Sequence, residues 1–231
     1  MDWTRPIDAY CERLGPGLWA EPVNALTNLA FLLAALWSWS RLRDRSRGTG
    51  IGLGTGQLLA AVLFVIGLGS GLFHTLANSW SSLADTLPIL AFILIYIFAA
   101  TRDFLERPVW LAALIAVAFL PFAALTAPLF AKLPLYGVSA PYLPVPLLIA
   151  IYAGLLRHWK PQTSRGLFIG AGLLMLSLTF RSADELVCRQ TAGIGTHFIW
   201  HLLNAVMLAW MIETWARHQA LHVLAGKARG R

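Results

Sequence analysis

The chain has 231 residues, of which 58% are hydrophobic and 13% are charged, about half the charged share of a typical soluble domain. This composition argues against a soluble fold and indicates an integral membrane protein. The formal net charge is +7, but the basic residues lie in short segments between apolar runs. That placement is typical of charges that set membrane topology and argues against nucleic-acid binding.

Seven apolar runs are long enough, or nearly so, for the roughly 20 residues with which a helix crosses a bilayer. They predict an all-α fold, an integral membrane bundle of seven transmembrane helices. It forms one domain over 1–231, with an outer segment at 1–20 and a basic cytoplasmic tail at 216–231. Prolines such as Pro121 and Pro128 are expected to kink or end helices. We place the spans at about 21–41, 52–77, 83–101, 109–126, 140–156, 165–181 and 196–215.

The distribution of lysine and arginine predicts how the bundle sits in the membrane. The N-terminal segment and the even-numbered loops carry 5 basic residues, whereas the odd-numbered loops and the tail carry 13. Because cytoplasmic loops hold the excess of Lys and Arg, we expect the N-terminus outside and the C-terminus in the cytosol.

Hydroxyl and ionisable residues collect at the expected outer ends of spans two, three and seven. Ser70 and His74 are four residues apart, so they share one face of a helix. Asp85 opens the next span, and His197 and His201 repeat the four-residue spacing at the start of the last one. Ionisable groups within a membrane are costly, which makes this set a candidate functional site.

The residue types in this set match a catalytic zinc site, which has three protein ligands and keeps a fourth position for water. The candidate ligands are His74, His197 and His201. Asp85 is then available to accept a proton from water, and Ser70 to donate to an oxyanion. Taken singly, a helical histidine is more simply a polar anchor, and a serine in a glycine-rich helix serves close packing.

The two cysteines, Cys11 and Cys188, both fall on the expected outer side, where an oxidising compartment lets a disulfide persist. Neither has the Cys-x-x-Cys spacing of a zinc or redox site. A structural bridge is predicted, with two free thiols as the alternative.

Three carboxylates precede the first span, those of Asp8, Glu12 and Glu21. Together with the amide oxygens of Asn24 and Asn28 they could hold a hard cation such as calcium. Helix capping and a solvated acidic segment explain them equally well.

The remaining polar residues receive structural interpretations. His158, His218 and His222 lie in basic segments on the opposite side from the cluster and are expected to be solvated. Arg181 and Asp184, one turn apart near the outer end of span six, are predicted to form an ion pair.

Four segments of the chain resemble motifs of the alkaline ceramidases, which belong to the CREST superfamily of seven-span membrane hydrolases together with the adiponectin receptors. The resemblance runs from Cys11 to the last span and suggests a bacterial-type member. The segments are Glu21-Pro-Val-Asn24-Ala-Leu-Thr-Asn28, Gly69-Ser70-Gly-Leu-Phe-His74 with Asp85 eleven residues on, Asp184 with Cys188, and His197-Phe-Ile-Trp-His201.

The resemblance implies zinc on His74, His197 and His201, with Asp85 activating water and Ser70 assisting at the oxyanion. It also implies a membrane lipid substrate, a ceramide or other N-acyl lipid, cleaved to a free fatty acid and a sphingoid base.

The family's N-terminal calcium motif is altered in this chain. The family pattern is Asp-Trp-Cys-Glu-x-Asn, whereas residues 9–14 read Ala-Tyr-Cys-Glu-Arg-Leu. Glu12 and Glu21 match calcium ligands of the family, and Asp8 lies one residue from a lost position.

The leading hypothesis is therefore an intramembrane zinc amidase, with a seven-span receptor or sensor holding a structural zinc as the alternative. Ser70 and Asp85 argue against a purely structural site, which needs neither a base nor an oxyanion donor. A serine protease would use Ser70, but Leu68 occupies the first position of the usual Gly-x-Ser-Gly motif. Haem held between histidine pairs would give a coloured protein.

Overall fold

The structure is a computed structural model that describes residues 2–50 and 52–229, with the backbone alone at 49 and from 224 to 229. The secondary structure of the described chain is α-helical, with short 3-10 and π-helical turns and an isolated β-bridge between Pro6 and Asn78, and the segment before α1 contains no helix. The α-helices are α1 Pro22–Thr27, α2 Leu29–Thr49, α3 Gly54–Leu76, α4 Ser79–Ala99, α5 Val109–Phe130, α6 Pro144–Leu156, α7 Pro161–Ala183 and α8 His197–Arg229.

Five helical segments among the described residues are long and apolar enough to cross a membrane: Pro22–Gly48, Gly54–Leu76, Ser79–Phe104, Val109–Phe130 and Pro161–Ala183. The first combines α1 and α2, which are interrupted only at Asn28. With α6 and α8 they make seven helical segments, which confirms the predicted all-α membrane bundle. Many large apolar side chains face outward, for example Leu125 at 75% exposure, as lipid contact requires.

The helices follow one another around the bundle. Each helix from α2 to α7 packs against the next one in the chain, and α8 closes the ring by packing against α2. Helix α3 also contacts α8 across the interior. The C-terminal end of α3 and the N-terminal end of α8 thereby meet at one end of the bundle.

Pro121 and Pro128 do not end α5, which continues through both of them to Phe130. Pro144 instead begins α6, at a position where its missing N–H leaves no hydrogen bond unmade.

The last helix is longer than the predicted span. Helix α8 runs from His197 to Arg229, so the predicted tail at 216–231 is an extension of the helix through residue 229. The extension packs against the bundle near its start, where Ala216 is fully buried and His218 is 6% exposed.

Candidate metal centre at one end of the bundle

A tight turn between α3 and α4 places His74 and Asp85 close together. Ala77 ends α3 in the left-handed conformation, with φ of 41°. Asn78 then caps α4, because its side chain accepts the N–H of Ser81 while the Ser81 hydroxyl accepts the N–H of Asn78. This reciprocal capping satisfies two N–H groups and fixes the direction in which α4 leaves the turn.

Helices α3 and α4 approach closely beside the site because residue 69 is glycine. A Cβ at Gly69 would lie 1.9 Å from the carbonyl oxygen of Ala84. The close approach brings Ser70 beside Asp85. The polar neighbours of the Asp85 carboxylate are His74, the Ser70 hydroxyl and Arg181. Ser70 is 4% exposed.

Asp184 positions the start of α8. One carboxylate oxygen accepts the backbone N–H groups of Thr196 and His197 at 2.7 and 2.8 Å, and the other accepts the N–H of Cys11 at 2.9 Å. Gly195 is required next to it, since its φ is +71° and a Cβ would lie 2.1 Å from the carboxylate. The carboxylate suits the positive end of the helix dipole and sets the position of His197.

The three histidines predicted as zinc ligands converge. His74, His197 and His201 are at most 2% exposed, and one ligand atom from each lies within 4.8 Å of the others. Three ring nitrogens, Nε2 of His74, Nδ1 of His197 and Nε2 of His201, have no hydrogen-bond partner. Buried polar atoms in a folded protein are normally hydrogen-bonded, so converging unpaired nitrogens fit a metal ion.

The opposite ring nitrogens of two of these histidines are held by neighbouring side chains. Nδ1 of His74 lies 2.6 Å from a carboxylate oxygen of Glu21, and Nδ1 of His201 lies 2.9 Å from the Thr27 hydroxyl. Donation by Nδ1–H to such a partner leaves the Nε2 lone pair free for a metal and fixes the ring orientation.

The N-terminal segment covers this end of the bundle. It crosses the α3–α4 turn through backbone hydrogen bonds such as Ile7 N–H to Ala77 O at 2.8 Å. The ring of Tyr10 stacks on His197 with centroids 3.8 Å apart. Burial raises the pKa of Tyr10, and the nearby Arg181 offsets only part of that shift. The tyrosine therefore carries a neutral hydroxyl next to the histidines.

A disulfide bond joins Cys11 to Cys188, across 177 residues of sequence. It ties the N-terminal segment to the loop between α7 and α8. The segment that carries Tyr10 and Glu12 is thus held covalently over the histidine cluster.

The three residues predicted as calcium ligands do not fit a calcium ion. Both carboxylate oxygens of Glu12 accept backbone N–H groups at the start of α1, from Val23 at 2.7 Å and Asn24 at 2.8 Å. Glu21 pairs with Arg13 and His74, and Asp8 is exposed. Among the described residues, the only group of three metal-binding side chains is the histidine cluster.

Two of the structural interpretations are wrong. Arg181 and Asp184 do not pair. The Asp184 carboxylate accepts hydrogen bonds from backbone N–H groups, and Arg181 donates to the carbonyl of Val138 at 2.7 Å. His218 is buried rather than solvated and contacts the Thr163 hydroxyl at 2.9 Å. His158 and His222 are exposed, as expected.

Sequence reasoning does not identify four residues of the site. Arg13, Tyr10, Thr27 and Arg181 reach the histidines or their partners only through tertiary contacts. In the sequence, Arg13 cannot be distinguished from a topology charge.

An apolar cavity lies inside the bundle next to the cluster. Tyr142, Trp200 and Asn204 line it near the histidines, and Phe92, Tyr96 and Met211 line it further along. Arg181 lies over the rings of Tyr142 and Trp200 at 5.1 and 5.9 Å.

Comparison with protein-family models gives a match to the family described as Ceramidase over residues 10–225, which is nearly the whole chain. No curated protein matches the sequence.

Proposed function

This chain belongs to the ceramidase family, and on that premise we propose that it is a zinc-dependent hydrolase of the N-acyl amide in ceramide-like membrane lipids. Membership in the family implies a hydrolase that acts on an amide bond in a lipid. To this we add three proposals: that the metal is zinc, that the named residues have the roles given below, and that the substrate is ceramide-like. The observation that carries it is the convergence of three buried imidazoles, each with a ligand nitrogen within 4.8 Å of the others and each with one ring nitrogen that has no hydrogen-bond partner.

His74, His197 and His201 would hold the zinc ion. An all-imidazole set suits zinc, and three ligands leave a position open for water or substrate. When bound, zinc supplies Lewis-acid activation of a water molecule and of the amide carbonyl. Glu21 and Thr27 support the ligands by holding the far nitrogens of His74 and His201.

Asp85 is proposed as the general base. Its carboxylate takes the proton that the attacking water loses, and returns it to the amine nitrogen as the C–N bond breaks. The Ser70 hydroxyl donates to the carbonyl oxygen as negative charge develops there. The two residues lie side by side because Gly69 lets α3 and α4 meet.

A lipid substrate fits the surroundings of the site. The cavity is lined by apolar and aromatic residues, among them Trp200 beside His201, which suits the apolar chains of a lipid whose amide binds at the histidines. We also propose that the site lies at the outer side of the membrane, since the N-terminal segment that covers it is predicted to be external.

The test combines metal analysis of the purified protein with a screen of ceramides and other N-acyl lipids for released fatty acid. We expect stoichiometric zinc and release of fatty acid from at least one lipid of this class. H201A should lose both zinc and activity, whereas H158A, which alters an exposed histidine, should retain both. A wild-type protein that binds no zinc, or that cleaves no N-acyl lipid, would contradict the proposal.

A receptor or sensor with a structural zinc remains the alternative function. It predicts that the protein binds zinc but releases no fatty acid from any N-acyl lipid.

A further inference from the structure

A buried arginine lies behind the histidine cluster. Arg13 is 7% exposed, and its Nε donates to one carboxylate oxygen of Glu21. The other two guanidinium nitrogens donate to the carbonyl oxygens of Gly15 at 3.0 Å and His74 at 3.2 Å. Arg13 therefore contacts the backbone of His74 directly and its ring through Glu21.

Glu21 is fully engaged by this arrangement. One oxygen accepts from Arg13, and the other lies 2.6 Å from Nδ1 of His74 and 3.3 Å from Nδ2 of Asn24. The carboxyl group is 2% exposed.

A buried carboxylate needs a positive partner, and two different cations could serve here. The acidic residues before the first span suggest a divalent cation, yet Asp8 is exposed and both oxygens of Glu12 cap α1. Glu21 is the only one of the three that faces the metal centre, and a guanidinium already neutralises it.

We propose that Arg13 takes the place of a calcium ion in this chain, so that the metal centre is positioned by an internal cation and does not respond to calcium. Arg13 is a positioning residue. Its contacts hold Glu21 in place, Glu21 holds His74 with Nδ1–H toward the carboxylate, and the Nε2 of His74 is left facing His197 and His201. This inference rests on the proposed metal centre at the three histidines.

The first test uses the wild-type full-length protein, purified and assayed in calcium-depleted buffer or with millimolar calcium, at the same free zinc concentration in both. We expect no stoichiometric bound calcium, and the same melting temperature and zinc affinity in both conditions. Bound calcium that raises the melting temperature or the zinc affinity would overturn the proposal. No variant is needed, so the proposal stays falsifiable even if substitutions at Arg13 impair folding.

The second test measures zinc affinity by competition with a chelator in R13A. We expect affinity about 10- to 100-fold below wild type, the range for losing a partner of a metal ligand. R13K should recover part of the loss, because an ammonium keeps the charge but cannot make all three contacts. R5A is the matched control, since Arg5 is an exposed arginine of the same segment, and should bind zinc like wild type.

A double-mutant cycle separates positioning from a general structural role. If Arg13 acts through Glu21, R13A should add little to the loss caused by E21Q. Fully additive losses, or an R13A protein that binds zinc as tightly as wild type, would refute the role of Arg13 alone. A wild-type protein without zinc would instead refute the metal centre itself.

Discussion

Gly69 is the residue whose replacement most directly tests the packing beneath the site. A Cβ there meets the Ala84 carbonyl oxygen at 1.9 Å, and backbone cannot move aside as a flexible side chain can. We expect G69A to destabilise the protein by about 3 kcal/mol, as overpacking does, and to lower activity by separating Ser70 from Asp85. Thermal unfolding and turnover measure the two effects.

Gly71 provides the matched control, two residues further along the same helix. A Cβ at Gly71 has its nearest neighbour at 3.9 Å, which is ordinary contact with Asn28. G71A should therefore be tolerated, or stabilise the helix by up to about 1 kcal/mol. Equal effects of the two substitutions would show that close approach of α3 and α4 is unimportant.

Asp85 and the histidines should separate into two classes when they are replaced. H74A, H197A and H201A remove one of three ligands, so zinc and activity should fall together. D85N should keep most of the zinc while activity falls by roughly 10² to 10⁴, the range for losing a general base. Elemental analysis beside turnover on the best substrate measures both.

Two results for D85N would contradict this division. Full activity would make Asp85 structural, and loss of zinc as complete as in H201A would make it a ligand.

S70A is a second check from the same pair, with zinc kept and activity lower by about 10², the usual loss of an oxyanion donor.

At the scale of elements, the disulfide attaches the N-terminal segment to the loop that begins α8. Closing a loop of 177 residues stabilises a protein by at most about 5 kcal/mol in the chain-entropy model, and less in a membrane, where the unfolded chain is already confined. We expect C188S to unfold at a lower temperature and to bind zinc more weakly, because the segment carrying Arg13 and Tyr10 is released.

The measurement is thermal unfolding of the wild type with and without reductant, compared with C188S. Reductant should lower the wild-type melting temperature and leave that of C188S unchanged. An unchanged free-thiol count and gel mobility after reduction would show that the bond does not form.

At the scale of the whole molecule, the orientation of the bundle remains a prediction from charge. The N-terminal segment and the even-numbered loops carry 5 basic residues against 13 on the other side. A single cysteine introduced near Asn78 should be labelled by an impermeant reagent on intact cells, and one introduced near His222 should not. Labelling of the second position alone would reverse the proposed orientation.

The sequence by itself determined the fold class and the members of the histidine cluster. Apolar runs of membrane length leave few alternatives to a helical bundle, and ionisable residues within such runs are rare enough to be noticed individually. The spacings of Ser70 with His74 and of His197 with His201 follow from the helical repeat, so they could be interpreted without a structure.

Only the tertiary structure decided how the site is supported. Arg13, Tyr10 and Thr27 contact the histidines across sequence separations that no local pattern encodes. The closeness of Arg181 and Asp184 in sequence predicts an ion pair, yet α8 starts beside Asp184, and the backbone N–H groups of Thr196 and His197 donate to its carboxylate. Charge and spacing specify what a residue can bind, and packing decides which partner lies within reach.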